Sequence, residues 1–154
     1  MIVFVTGASA GFGAAIARSF VKGGHRVVAT ARRKDRLDAL AAELGDALLP
    51  IELDVRDADA VAAVPGALPA GFAEVDVLVN NAGLALGLEP AHQASLDDWH
   101  TMIDTNCTGL VQVTSPPQRV AAFGGEARPA GAHAPRVQTA APTTMHALIA
   151  ETGA

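Results

Sequence analysis

The stretch that most constrains this chain is its beginning. Ile2-Val3-Phe4-Val5 is a short apolar run, followed at once by Thr6-Gly7-Ala8-Ser9-Ala10-Gly11-Phe12-Gly13 and then by Ala14-Ala15-Ile16-Ala17-Arg18-Ser19-Phe20-Val21. The pattern reads as buried strand, glycine turn and helix. Glycines let the backbone bend tightly and let a ligand approach where a Cβ would stand. The helix that follows offers unpaired N–H groups and the positive end of its dipole to an anion. A Gly-rich turn can be no more than a turn. At the start of an αβ alternation, however, with strand before and helix after, it points to a diphosphate held by Gly7, Ser9, Ala10, Gly11 and Phe12. Gly13 is expected to let the helix sit close on the strand.

The alternation continues. Gly23-Gly24 ends the first helix, and His25 to Thr30 reads as a second strand. A helix is expected from Lys34 to Leu44, with Leu37, Leu40 and Leu44 on one face. Leu48 to Leu53 is a third strand, and Asp57 to about Val64 a helix broken by Pro65. Val75 to Val79 is a fourth strand. Ser95 caps a long helix running to about Val113, with Asp98 in the capping-box position. Strands that alternate with helices pair in parallel through right-handed crossovers. The expected fold is α/β, the N-terminal part of a doubly wound parallel sheet ordered 3-2-1-4. The outer edge of the fourth strand is expected to be unpaired, an invitation to aggregate unless the tail covers it.

Composition bounds the partners. Half of the 154 residues are apolar and the net charge is −5. That is a globular composition, one that excludes nucleic acid and anionic membrane surfaces as expected partners. No apolar run approaches the roughly 20 residues of a membrane span. Nothing at the start resembles a signal peptide, and the single cysteine, Cys107, fits a reducing compartment, so the cytoplasm is expected. Cys107 itself reads as a small buried hydrophobe. His25, His92 and His100 have no metal-ligand spacing, and no metal is expected.

In a doubly wound sheet, ligands bind outside the carboxyl ends of the strands. Four turns lie there. Arg32 and Arg33 follow the second strand, with no Asp or Glu between Val27 and Arg33. In dinucleotide folds an acid at this point binds a ribose 2′-hydroxyl, whereas arginine accommodates a 2′-phosphate, so NADP is preferred over NAD. A solvated basic pair opening a helix is the plainer alternative. Asp54, beside Val55, either accepts from an adenine amino group or simply ends a strand. Asn81, Ala82 and Gly83 follow Asn80 at the end of an apolar strand. Gly83 would let a ribose approach. Asn106 lies inside the long helix, where Asn is mildly unfavourable. It is either satisfied by a backbone carbonyl or interrupts the helix and holds water near a reaction centre. Trp99 reads as a packing residue.

These motifs, in this order, resemble the short-chain dehydrogenase/reductase family. Thr6 to Gly13 matches its glycine motif, Asp54-Val55 its adenine-binding pair, Asn80-Asn81-Ala82-Gly83 its NNAG motif, and Asn106 the asparagine of its catalytic tetrad. The span from Asn81 to Asn106, with Leu84 to His92 and Asp98-Trp99, resembles the NADP-dependent 3-hydroxy acid (serine 3-) dehydrogenases in particular. The resemblance implies a homotetramer with the helix from Ser95 packed between subunits. It also implies hydride transfer between NADP(H) and a small 3-hydroxy acid or related alcohol. In that scheme a tyrosine acts as general acid/base, a lysine lowers its pKa, a serine holds the substrate hydroxyl and Asn106 positions a water.

The match covers residues 1 to about 114. The chain contains no tyrosine, and its only lysines are Lys22 and Lys34. The expected serine and Tyr-x-x-x-Lys are therefore absent, and so is the partner helix for tetramer assembly. Loss of general acid/base chemistry alone costs about 10²–10⁴-fold in rate. Residues 115–154 are rich in Ala, Gly and Pro, with only a weak helical pattern from Met145 to Ala150, and are expected to be a poorly ordered tail. Three readings stay open: an inactive truncated or frameshifted product of an enzyme gene, a non-catalytic NADP-binding module, and a chain without function.

Overall fold

A computed structural model describes residues 1–87 and 89–114, together with the backbone of 136–139. Strand β1 (Ile2–Thr6) leads into helix α1 (Gly11–Lys22), β2 (Arg26–Ala31), α2 (Lys34–Leu44) and β3 (Leu48–Glu52). Helix α3 (Ala58–Ala67), β4 (Val77–Asn80), α4 (Leu96–Ile103), α5 (Gly109–Thr114) and β5 (Arg136–Thr139) complete it. The sheet is parallel with order β3-β2-β1-β4-β5. The expected 3-2-1-4 order stands, and β5 extends it. Val77 to Asn80 pair with Arg136 to Thr139, so the outer edge of β4 is covered rather than open. Four residues within an Ala/Gly/Pro-rich stretch gave no sign of this strand. Its pairing is made by backbone groups, which every residue type but proline can supply in full. The weak helical pattern at Met145 to Ala150 lies outside the described residues, as does most of the expected tail.

Period-two alternation in β1 distributes the core to both sheet faces. Val3 and Val5 pack with Val27, Ala29, Ala14, Ala17, Leu37 and Leu40 beneath α1 and α2. Phe4 points the other way, into Val28, Leu78, Val61, Val64 and Val113 beneath α3 and α5. Each fully buried Val, Leu or Phe side chain contributes about 1.5–3 kcal/mol.

Two helices differ from expectation. Pro65 does not end α3, since Gly66 and Ala67 remain helical. The proline has no N–H to give the Val61 carbonyl, but this loss falls in the last turn, and the ring itself is buried. The helix expected from Ser95 to Val113 is divided by a π-helical turn at Asp104–Thr108. Its start is as expected, with Ser95 Oγ accepting from the Asp98 N–H at 3.4 Å. Trp99, expected to pack, is 45% exposed, on one face with Leu96 and Ile103. Among the described residues, no helix is long and apolar enough to cross a membrane, and no cluster of His, Cys, Asp and Glu is placed to hold a metal.

Candidate cofactor site

The register aligns Thr6 with Thr30, Ala31 with Glu52, and Val5 with Val79, so the four informative turns emerge at one sheet edge. Between β1 and β4 the strand order reverses, and a crevice opens there. Gly7 holds φ +68°, and a Cβ on it would come within 2.8 Å of Ala82 Cα. At Gly13 a Cβ would lie 2.3 Å from the Gly7 carbonyl oxygen and 2.5 Å from Asn81 Nδ2. The start of α1 thus packs closely on the Gly7 turn and on the Asn81 side chain. Ala10 caps α1 without a side-chain hydrogen bond, and no acid occupies the first turn. The first N–H groups of α1 are thus left for an anion.

Asn81 sits under the turn. Its Nδ2 donates to Thr6 O (2.9 Å) and Gly7 O (3.2 Å). In return Thr6 Oγ1 accepts the N–H groups of Asn81 (3.0 Å) and Ala82 (2.9 Å). Thr6 is fully buried and was not anticipated as a site residue. Its signal was a hydroxyl at the end of an otherwise apolar strand. Asn80 is buried too, donating from Nδ2 to Thr114 Oγ1 at 2.8 Å.

A cavity of about 360 Å³ lies at this edge. Gly7, Ser9, Arg32, Arg33, Asp54, Val55, Ala82 and Gly83 all line it. Ala10, Gly11, Phe12, Gly13, Asn81 and Asn106 do not form its wall; Gly13 and Asn81 act from beneath. Thr105 does line it and was not foreseen; it is buried, and its Oγ1 has no hydrogen-bond partner among the described residues. Arg33 donates from Nη2 (3.1 Å) and Nε (3.3 Å) to Ser9 Oγ, which ties the second turn to the first. Arg32 makes no hydrogen bond or ion pair among the described residues, which leaves a free cation at the rim.

Asp54 is engaged by Arg56, another residue not anticipated. The Arg56 guanidinium donates to both carboxylate oxygens, at 2.6 Å from Nη2 to Oδ2 and 3.0 Å from Nε to Oδ1. These bonds hold the Asp54 carboxyl below its ordinary range; partial burial opposes the shift, and the charge of Arg32 adds weakly to it.

Asn106 lies in the π-helical turn and reaches out of its own helix. Its Oδ1 accepts the Leu84 N–H at 2.9 Å, and its Nδ2 donates to Leu84 O at 2.8 Å. The side chain is satisfied by backbone, the first of the two sequence alternatives, and the helix is interrupted at this residue by the π turn. A Cβ on Gly83 would stand 3.3 Å from Asn106 Oδ1, so the neighbour that crowds Gly83 is Asn106. Cys107 is exposed, contrary to expectation. Within the π turn only Thr105 faces inward, and its successor residues turn to the surface.

The family model for short chain dehydrogenase matches residues 1–119. The chain belongs to that family. It is 60% identical over 114 residues to the NADP-dependent 3-hydroxy acid dehydrogenase YdfG of Salmonella typhi, covering 74% of this chain and 46% of the relative. Serine 3-dehydrogenase of Agrobacterium fabrum is 56% identical over 112 residues, covering 73% and 45%. Among solved structures, the closed form of serine dehydrogenase complexed with NADP+ matches with a TM-score of 0.73 and 58% identity, over 74% of this chain and 46% of that one. Serine dehydrogenase from Escherichia coli gives a TM-score of 0.72 at 54% identity, over 80% and 54%. The chain spans about half the length of the curated relatives it matches. Within the family, its described residues carry the glycine turn, the Asp54 and Asn81 turns and Asn106 at one sheet edge.

Proposed function

We propose that this chain holds the adenosine end of NADP in the cavity at the carboxyl edge of the sheet. The observation that carries the reading is one space bounded by the Gly7 turn, the Arg32–Arg33 pair and Asp54. The lining fits the group: Gly7 presents bare backbone at the cavity wall, and Arg32 is a cation with no hydrogen bond or ion pair among the described residues. In this reading the turn from Gly7 to Gly13 and the start of α1 take the diphosphate. Arg32 and Arg33 take the 2′-phosphate, Arg33 exchanging its bond to Ser9 for the ligand. Asp54 and Val55 take the adenine, and Asn81, Ala82 and Gly83 shape the floor.

Bound there, the nicotinamide of NADP(H) supplies or accepts a hydride. By lineage the partner in that reaction is a small 3-hydroxy acid or related alcohol or carbonyl, with Asn106 positioning a water. This chain contains no tyrosine to act as the general acid/base, so we assign it cofactor binding without turnover. That favours a binding module over an active dehydrogenase. The exposed face of Leu96, Trp99 and Ile103 is the surface the family's homotetramer would cover.

Titration of the purified chain with NADPH and NADH, followed by nicotinamide fluorescence, tests the assignment. Sub-millimolar NADPH binding is expected, with NADH weaker by about 10-fold or more, the worth of one charge-assisted contact. Arg32→Ala with Arg33→Ala should erase the difference. Absence of NADPH binding sinks the reading. Formation of NADPH from NADP+ and serine, followed by absorbance, would sink the assignment of inactivity alone.

A further inference from the structure

We propose that Arg56 is a positioning residue for cofactor recognition, holding the Asp54 carboxylate at the cavity wall with one acceptor position open for the exocyclic amino group of adenine. The inference rests on the reading that the cavity takes the adenosine end of NADP. Asp54 lines the cavity and Arg56 does not, so any effect of Arg56 on a ligand passes through Asp54.

The geometry is that of a clamp. Asp54 Oδ1 accepts the Arg56 backbone N–H (3.0 Å) and Nε–H (3.0 Å). Oδ2 accepts Nη2–H at 2.6 Å, with Nε shared at 3.1 Å. Three N–H groups thus meet a carboxylate with about four acceptor positions, leaving one for a ligand. The planar guanidinium fork fixes the carboxylate plane, which a lysine ammonium cannot do.

The clamp is itself anchored. The Asp57 N–H donates to Asp54 O at 3.0 Å and closes the turn. Gln112 Nε2 on α5 donates to Arg56 O at 3.4 Å. Gly109 lies so close under the loop that a Cβ there would stand 2.6 Å from Val55 Cγ2. The loop is pinned from α3 and α5, so Arg56 is carried on a fixed backbone. The lowered pKa of Asp54 agrees with this arrangement, keeping the group an acceptor at neutral pH.

Adenine and hypoxanthine discriminate the role, because hypoxanthine presents a carbonyl oxygen where adenine presents the amino group. Calorimetric titration of the full chain would use adenosine 2′,5′-bisphosphate and its hypoxanthine counterpart. The wild type should prefer the adenine ligand by about tenfold or more. Asp54→Asn and Arg56→Met should each lower that preference to about threefold or less, with hypoxanthine affinity and melting temperature little changed in Arg56→Met. Arg56→Lys should recover part of the preference, and it keeps the test decisive if Arg56→Met does not fold. Retention of the wild-type preference in both Arg56 variants overturns the inference. So does tighter adenine binding in Arg56→Met, which would mean that the arginine masks Asp54. If the wild type binds neither ligand, the cavity reading itself fails; if it binds both but Arg56 has no influence, only the inference fails.

Discussion

Thr6 Oγ1 holds the loop after β4 at two points, since it accepts the backbone N–H groups of both Asn81 and Ala82. Valine at that position keeps the volume and orphans both donors. Thr6→Val should therefore destabilise by about 1–3 kcal/mol, read as a lower urea midpoint at unchanged m-value, and Thr6→Ser should restore most of it. Asp54 makes a different statement, about pH. Its folded pKa is depressed, so the stabilisation from its bonds with Arg56 is present above the unfolded value of about 3.9 and is lost as pH falls through the lower folded value. The gap in urea midpoint between wild type and Asp54→Asn should be constant from pH 7 to about 5 and close below about pH 4. The pair is partly exposed, so the gap should be small.

The elements differ in how far local sequence decides them. Helix α2 runs over Lys34–Leu44 as its Leu37 and Leu40 spacing leads one to expect, because one apolar stripe buried on one sheet face suffices to define it. The π-helical turn at Asp104–Thr108 was not legible. It goes with a tertiary event, the two bonds of Asn106 to the Leu84 backbone, and no periodicity encodes a partner 22 residues away. The same holds for β5, whose pairing is between backbones, and for Arg56, whose neighbour Asp54 was read while the bond between them was not. Asn106→Ala should leave the Leu84 amide unpaired. Hydrogen exchange at that amide should speed up by about tenfold, while global stability falls by about 1 kcal/mol or less. Equal protection in the two proteins would show that the bridge does not hold the 81–84 loop.

At the scale of the molecule, the sheet's weak point is the edge of β4. Strand β5 pairs there over Val77 to Asn80, four residues that would otherwise present open backbone groups. A chain ending at residue 114 removes that cover. It should self-associate at concentrations where the 154-residue chain stays monodisperse, as sedimentation velocity would reveal. Equal sedimentation of the two would mean that β5 does not protect the edge.

Construction of the cofactor site also has an order in time. The turn at Gly7 is synthesised well before its support, since its carbonyl is bound by the side-chain amide of Asn81, 74 positions later. At the usual pace of synthesis, about 5–20 residues per second, the wait is roughly 4–15 s. Throughout that interval a nascent chain carries the signature of a nucleotide-binding protein without the surface that binds one. The motif most easily recognised in the gene acquires its final shape only after a later strand and turn have followed it.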